Sequence, residues 1–472
     1  MTPKSDKTIE INQGKDRWFV VLFGLFLGLC ILKFGNPVIL DQLIDPPSEI
    51  ADWFNQAWPL RWAFPLLLMV GVSGLIFAQP MARIRESGVS WWVLLAPFIW
   101  LGWQFIAGER SVDPSLSALT LRHFSGCVTC FAVGFLVLSP WIRRGWLWVG
   151  ILIGFFFCLN KATHQSLFEF RQDYQALVEG EATGWTNFDF TLLERMRHDH
   201  MIVLTNGVEI ANPAILDKMK RARVSGTLVY PNALAGLILM LLPAAIAFLN
   251  QAVRKMKPSI HRMVLGLALF LGFSGFYWTG SKAGWLVALL VGVILLMNRS
   301  WSPRVRGLLI LTFLLGGLGV FGLRFSGHLA RGSTSAMARF DYWRSAIQNT
   351  VENPLFGSGP GTFQRPYARM KLPGAEMARL VHNDYLEQAS DSGVLGLVFY
   401  GLWIFGTFQI LYRRFAKVGM SDPIPIALFY GLLAWFLQGF FEFGLYIPAV
   451  AWTAFALMGA LLGLRPAQLK CS

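Results

Sequence analysis

Long apolar runs constrain this chain more than any other feature of its sequence. Stretches of about 17 to 25 apolar residues recur along most of it, and an α-helix of that length crosses the hydrocarbon core of a bilayer. Only 14% of the residues are charged, whereas an ordinary soluble protein is roughly a quarter charged. The sequence therefore predicts an all-α polytopic membrane protein with about 12 transmembrane helices. The expected helix centres are residues 18–34, 61–78, 90–107, 124–141, 145–160, 229–248, 263–279, 284–298, 307–323, 393–412, 424–441 and 447–464.

Two features of these runs could suggest something other than membrane helices. The first run begins at Trp18, but no small-residue cleavage site follows it, so we expect a retained helix rather than a signal peptide. Cys127 and Cys130 have the spacing of a redox motif. Because they fall inside an apolar run, we interpret them as small residues that let helices pack closely.

The net charge of +14 could indicate a nucleic-acid partner, but its distribution favours another explanation. If the N-terminus is cytoplasmic and the helices alternate in direction, the excess of Lys and Arg falls on the cytoplasmic side. That asymmetry is the positive-inside rule of helical membrane proteins. We therefore predict no nucleic-acid partner and expect both termini in the cytoplasm.

Two long loops fall on the outer side of this topology, and they divide the chain. Loops of this length are uncommon in compact proteins unless they have a function. The later loop is expected to contain short amphipathic helices around a glycine turn. The predicted regions are membrane helices in 1–160, a first outer loop in 161–224, membrane helices in 225–323, a large outer loop in 324–391, and membrane helices with a tail in 392–472.

Basic residues on the outer side are candidates for binding a phosphate or diphosphate headgroup. Guanidinium groups make bidentate, charge-assisted hydrogen bonds to such anions. Arg223 precedes the sixth predicted helix, where its positive charge opposes the helix dipole. A bound anion would resolve that conflict. Lys282 lies in a tight hairpin with no acidic residue nearby in sequence. The alternative interpretations are a solvated helix face for the arginines and snorkelling to the interface for Lys282.

The segment VHNDYLEQASDSGVLG, residues 381–396, places a histidine next to an apolar run. His382 could act as a general base on a hydroxyl, although a structural role is the commoner one for a single histidine. If the segment is helical, His382 shares one face with Gly393, whereas Asp384 and Asp391 share another.

Two other motifs have weaker functional interpretations. The glycines of PLFGSGPGTF, residues 354–363, could form a backbone nest for an anion, but a structural turn is the better interpretation because the motif lacks the features of a P-loop. The segment with His198, Asp199 and His200 could suggest a metal site. However, two histidines at i and i+2 on a helix point in different directions, and no third ligand is evident. We predict no metal and no cofactor.

The motifs RVSGTLVYPNALA, TGSKAGW, ARFDYWRSAIQNTVENPLFGSGPGTF and HNDYLEQASDSGVLG together resemble those of the O-antigen ligase and polymerase superfamily, the Wzy_C-type integral membrane glycosyltransferases. The resemblance covers roughly residues 220–465. The chain has Lys282 where family members usually have arginine, and Asp391 where a glutamate is common. Both substitutions keep the charge.

This resemblance implies an inverting, metal-independent transfer of a glycan from undecaprenyl diphosphate to an acceptor hydroxyl, at the periplasmic face of the bacterial inner membrane. It implies that His382 polarises the acceptor. The donor diphosphate would be bound by Arg223, Lys282, Arg339 and Arg344. The implied supporting residues are Asn232, Asn383, Asp384 and Asp391. The implied partners are the lipid-linked glycan, the bilayer, and lipid A core or a growing glycan as the acceptor.

Several functions remain open within and outside the family. Ligation to lipid A core is favoured, but polymerisation of repeat units and transfer to a protein hydroxyl share the same donor chemistry. A small-solute transporter, such as a bicarbonate carrier, is the alternative of another class, and a non-catalytic scaffold is a third. Against a transporter, the sequence shows no matched pair of broken helices. Its ionisable residues also gather outside the membrane, with Glu442 as the main exception.

Overall fold

The computed structural model describes residues 6–77, 80–186, 188–198, 201–205, 207–213, 215–216, 219, 223–330, 334–373, 375–418 and 422–464. Most of these residues are helical. The helices are α1 Asp6–Lys33, α2 Ile50–Asn55, α3 Ala63–Phe77, α4 Pro80–Ser87, α5 Trp91–Gly108, α6 Pro114–Val133, α7 Gly145–His164, α8 Phe170–Thr183, α9 Phe190–His198, α10 Pro231–Val253, α11 Pro258–Thr279, α12 Lys282–Met297, α13 Pro303–Ala330, α14 Thr334–Glu352, α15 Gln364–Met370, α16 Asp384–Val418, α17 Pro423–Gln438 and α18 Pro448–Leu462.

The twelve predicted apolar centres all overlap helices, but not all of these helices are long. Within the part of the chain that the structure describes, seven helices are long and apolar enough to cross a membrane. Four more apolar helices are shorter, including α12, α17 and α18. The molecule is therefore built as an integral membrane protein, while the number of twelve spans stays a prediction.

Helix α18 lies at the centre of the bundle, because every residue from Pro448 to Leu462 is buried. A helix that is apolar on all sides requires partners on all sides. Glycines allow the backbones to approach closely: a Cβ on Gly459 would lie 2.1 Å from Phe131 O of α6, and one on Gly134 would lie 2.1 Å from Ala456 O. Such contacts are the usual basis of helix packing in membranes.

The first long loop contains a two-stranded antiparallel hairpin, β1 Ile202–Thr205 and β2 Val208–Ala211, which the all-α prediction did not include. The strands are rich in β-branched residues and flank an Asn-Gly pair in the sequence, a combination typical of hairpins. The hairpin shares a small core with α8 and α9. That core contains Leu177, Trp185, Leu193, Met196, Ile202, Ala211 and Met219.

Several of the segments that connect the helices meet at one end of the bundle. In the later loop, α14 and α15 flank the glycine stretch, in agreement with the expectation of helices around a turn. Hydrogen bonds that join segments at this end are Thr227 Oγ1 to Ile31 O (2.7 Å), Val224 N to Trp278 O (3.2 Å), Asp384 N to Gly439 O (2.7 Å) and Val112 N to Ser358 O (2.9 Å).

Candidate active site

Glu442 connects most of the predicted site residues. It lies in the turn between α17 and α18, with its side chain 7% exposed. One carboxylate oxygen accepts hydrogen bonds from Asn232 Nδ2, at 2.6 Å, and from Arg339. The other lies 3.4 Å from His382 Nδ1. Residues from α10, from α14 and from the turn before α16 therefore converge on one buried carboxylate.

His382 adopts a left-handed backbone conformation, with φ of 57°. That conformation is uncommon for residues other than glycine, although Asn, Asp and His adopt it more often than most. The imidazole packs against Phe443, with ring centroids 4.6 Å apart, and against Tyr342, at 5.9 Å. Burial, with the Glu376 and Asp341 carboxylates, raises the pKa of Tyr342, so its hydroxyl stays protonated beside the histidine.

The contact with Glu442 determines which nitrogen of His382 can accept a proton. A carboxylate accepts hydrogen bonds, so in the neutral imidazole this contact favours the hydrogen on Nδ1 and leaves the lone pair on Nε2. The side chain is 28% exposed, so the ring remains accessible to an acceptor. The arrangement has the form of a general base oriented by a second residue.

Arg223 joins this group through Asn232. Its guanidinium donates a hydrogen bond to Asn232 Oδ1 at 2.7 Å and another to Thr279 O at 2.8 Å. Thr279 is the last residue of α11, and a helix C-terminus favours a positive charge. The conflict with the dipole of α10 that the sequence suggested is thus offset by a second helix end.

Lys282 begins α12, three residues after Thr279. The preceding Gly280 packs against Arg223, since a Cβ there would lie 3.4 Å from Arg223 Nε. Lys282 Nζ lies 6.0 Å from the ring centroid of Phe325, and the guanidinium of Arg324 lies 5.7 Å from the same ring. Arg324 is therefore a further basic residue at this end of the bundle.

Arg344 does not take part in the cluster around Glu442. Its guanidinium pairs with Asp341 at 2.9 Å, one turn away on α14, and its side chain is 54% exposed. Of the two arginines predicted from this helix, only Arg339 contacts Glu442. Arg344 as a donor-binding residue remains a prediction.

Asn383 and Asp384 hold the start of α16 in place. The Asn383 side chain accepts hydrogen bonds from Tyr385 N and Leu386 N, both at 3.0 Å, which is the pattern of a helix N-cap. The Asp384 carboxylate accepts a hydrogen bond from Leu445 N at 3.2 Å, and Asp384 N donates to Glu442 O at 3.2 Å. Both residues position the segments that carry His382 and Glu442, as supporting residues would.

Asp391 belongs to the glycine turn instead. Its carboxylate accepts hydrogen bonds from Gly361 N at 2.6 Å and from the Tyr446 hydroxyl at 2.8 Å. Gly359 N donates to Asp391 O at 2.8 Å. The glycine amides that could have formed an anion nest are used within the protein, since Gly361 N binds the Asp391 carboxylate and Gly357 N and Gly359 N bind backbone carbonyls. This favours the interpretation as a structural turn.

The expectation that His382 and Gly393 share a helix face is wrong. Helix α16 begins at Asp384, after His382, and its backbone is non-helical at Ser392 and Gly393. Val394 N donates to Pro354 O at 2.8 Å, so the break docks on the residues before the glycine turn. By contrast, Asp384 and Asp391 both contact the segment 445–446, as residues on a shared helix face can.

No group of three or more His, Cys, Asp or Glu residues that could hold a metal ion occurs among the described residues. Asp199 and His200 lie outside them, so the sequence motif there is not tested. Cys127 and Cys130 are buried free thiols on α6. The absence of a metal or cofactor therefore stays a prediction.

The sequence motifs did not identify Glu442 as a site residue. The signal was present, because an acidic residue between two apolar helices is unusual and is by default a functional candidate. Its partners could not be recognised, since Asn232, Arg339 and His382 are 210, 103 and 60 positions away.

The helices and this cluster define an integral membrane protein with a candidate active site at one end of its bundle. Residues 267–401 match the family model Wzy_C, described as O-antigen ligase. This match confirms the resemblance to the family over a shorter range than 220–465. The match includes Lys282, Arg339 and His382, whereas Arg223 and Glu442 lie outside it. The comparison with curated proteins gave no match.

Proposed function

We propose that this protein is an inverting, metal-independent glycosyltransferase of the O-antigen ligase type. It would move a glycan from undecaprenyl diphosphate to a hydroxyl of lipid A core at the periplasmic face of the inner membrane. The observation that carries the proposal is the convergence of His382, Arg339 and Asn232 on Glu442, within and beside a Wzy_C domain.

The transfer follows from what each group can do. Nε2 of His382 takes the proton of the acceptor hydroxyl as the hydroxyl oxygen attacks the anomeric carbon. A new glycosidic C–O bond forms, and the bond between that carbon and the diphosphate oxygen breaks. The electron pair leaves with undecaprenyl diphosphate, and attack from the opposite face inverts the anomeric centre. His382 then returns its proton to the solvent.

The basic side chains would stabilise the leaving group. Negative charge builds up on the diphosphate as the bond breaks, and preorganised cations lower the energy of that transition state. Arg223 and Arg339 are already held by Asn232 and Glu442, so they need little reordering when the donor binds. Lys282 and Arg324 extend the positive charge beyond this pair. Glu442 then orients His382 and holds Arg339 at the same time.

A reconstitution experiment tests this function. The purified protein in nanodiscs would receive an undecaprenyl-diphosphate glycan with and without lipid A core, and the assay would follow released undecaprenyl diphosphate and product length. We expect one addition per core molecule and no loss of activity with a chelator. A ladder of products without core would indicate a polymerase, and glycosylation of a protein would indicate a different acceptor.

Two results would contradict the proposal itself. One is the absence of donor cleavage with every acceptor, combined with solute uptake into vesicles, which would favour the transporter. The other is an activity that disappears on chelation and returns with a divalent cation, which would exclude the metal-independent mechanism.

A further inference from the structure

A large groove lies between α10, α11, α12 and α17, away from the candidate active site. Its volume is about 630 Å³, and its walls are mainly apolar, with Pro243, Leu265 and Ala427 among the lining residues. Asn250, Arg299 and Tyr430 supply polar groups. A site with apolar walls and a few polar groups at one end suits an amphiphilic ligand.

Positive charge dominates the end of the groove where Arg299 lies. No Asp or Glu occurs in the sequence between Asp217 and Asp341, so the two connections at this end carry only basic charges. On the side of α17, the carboxylate of Asp422, the residue before the helix, pairs with Arg143. The basic residues of these connections and the adjoining first helical turns are Arg254, Lys255, Lys257, Arg262, Arg299, Arg304 and Arg306.

This end is remote from the cluster around Glu442. Asn232 lies at the start of α10 and Asn250 near its end, and 18 residues of helix span about 27 Å at 1.5 Å per residue. A ligand whose headgroup contacts Arg299 cannot place the same headgroup at Arg223 and Arg339. The groove therefore opens toward the opposite leaflet from the candidate active site.

We propose that this groove binds an anionic diacyl phospholipid of that leaflet. The phosphate would contact Arg299, and the acyl chains would lie along the apolar walls toward Pro243 and Leu265. The positive-inside rule accounts for basic residues near the membrane, but it does not require a groove beside them. Basic pockets between membrane helices are typical binding sites for anionic lipid headgroups.

Lipid-dependent thermal stability tests the site. The protein in detergent would be mixed with phosphatidylglycerol, with phosphatidylcholine, or with glycerol 3-phosphate as a headgroup without chains. We expect phosphatidylglycerol alone to raise Tm by several degrees. Arg299→Gln should weaken its apparent affinity about tenfold, and Ala427→Phe should weaken it similarly by filling the groove.

Arg413→Gln is the matched control, because Arg413 is an exposed arginine of the basic YRRFAK segment, at the end of α16, and does not line the groove. It should retain the response to phosphatidylglycerol. The proposal is overturned if phosphatidylcholine raises Tm as much as phosphatidylglycerol does. It is equally overturned if Arg413→Gln weakens the response to phosphatidylglycerol as much as Arg299→Gln does. It is also overturned if a polyprenyl phosphate displaces phosphatidylglycerol from the groove, since the groove would then serve the donor. Each variant is first compared without lipid, so that loss of folding is not counted as loss of binding.

Discussion

His382 Nδ1 lies 3.4 Å from Glu442 Oε2, although 60 positions separate the two residues. The contact joins the turn before α16 to the turn before α18. It also links the histidine to Arg339, because Arg339 donates to the same carboxylate. A proton acceptor and a cation that could stabilise a departing diphosphate are thus held by a single side chain.

Replacement of His382 by asparagine should abolish glycan transfer without unfolding the protein. Asparagine tolerates the left-handed conformation at this position better than alanine does. The loss of a general base should lower the rate of undecaprenyl diphosphate release by about 100-fold to 10,000-fold. His164→Asn is the control, since His164 is exposed and pairs with Glu169 in the first loop. A rate near wild type for His382→Asn would exclude His382 as the base.

Glu442→Gln should reduce turnover and also lower stability. The change keeps the size of the side chain but leaves Arg339 partly buried without its counter-ion, and breaking a buried ion pair costs about 3 to 5 kcal/mol. We expect kcat to fall by at least about tenfold as His382 loses its orientation. Thermal unfolding and kcat should be measured beside Glu352→Gln, which removes an exposed carboxylate of α14. Equal effects of the two changes would argue against a positioning role for Glu442.

Two arginines of α14 should differ in their effect on the donor. Arg339 pairs with Glu442, whereas Arg344 is 54% exposed and pairs with Asp341. Arg339→Gln should therefore lower kcat/KM for the lipid-linked donor by about 10-fold to 100-fold, as expected for a charge-assisted contact. Arg344→Gln should change it less than about threefold, which is typical of exposed ion pairs. The reverse order would place the diphosphate near Arg344.

Gly359→Ala should destabilise the protein more than an alanine at another positive-φ glycine. A Cβ at Gly359 would lie 2.3 Å from Ser111 Oγ, in addition to the strain at φ of 106°. Together the clash and the strain should lower the free energy of unfolding by about 3 kcal/mol or more. Gly207→Ala, at φ of 78° with no atom within 4 Å of the added Cβ, should cost about 1 to 2 kcal/mol. Thermal unfolding of both variants measures the difference, and similar losses would mean that the turn can move away from Ser111.

The apolar runs predicted the helices well because their signal is local. Each membrane helix satisfies its own backbone hydrogen bonds, so composition over about 20 residues is enough to recognise it. The hairpin at 202–211 was missed because four-residue strands are easily overlooked in a polar loop. Its Asn206–Gly207 pair between β-branched residues was the available signal.

The site was only partly predictable, because its geometry depends on contacts across the whole chain. Motifs indicated His382, Arg223 and Arg339, but not that Glu442 would join them. The left-handed backbone at His382 also places the histidine outside the helix that the sequence suggested. Helical periodicity also does not reveal the break at Ser392 and Gly393, since that break depends on the residues before the glycine turn that pack against it.

The break in α16 at Ser392 and Gly393 divides the helix into two parts, and the rotation of each part about its axis is set separately. In a continuous helix, an inserted residue turns everything beyond it by about 100°. Here Val394 N is anchored to Pro354 O, so the membrane half takes its orientation from that contact. The directions of Asp384 and Asp391 are set instead by their contacts with the segment 445–446. The segment next to His382 and the membrane-spanning part of α16 are therefore oriented by different contacts.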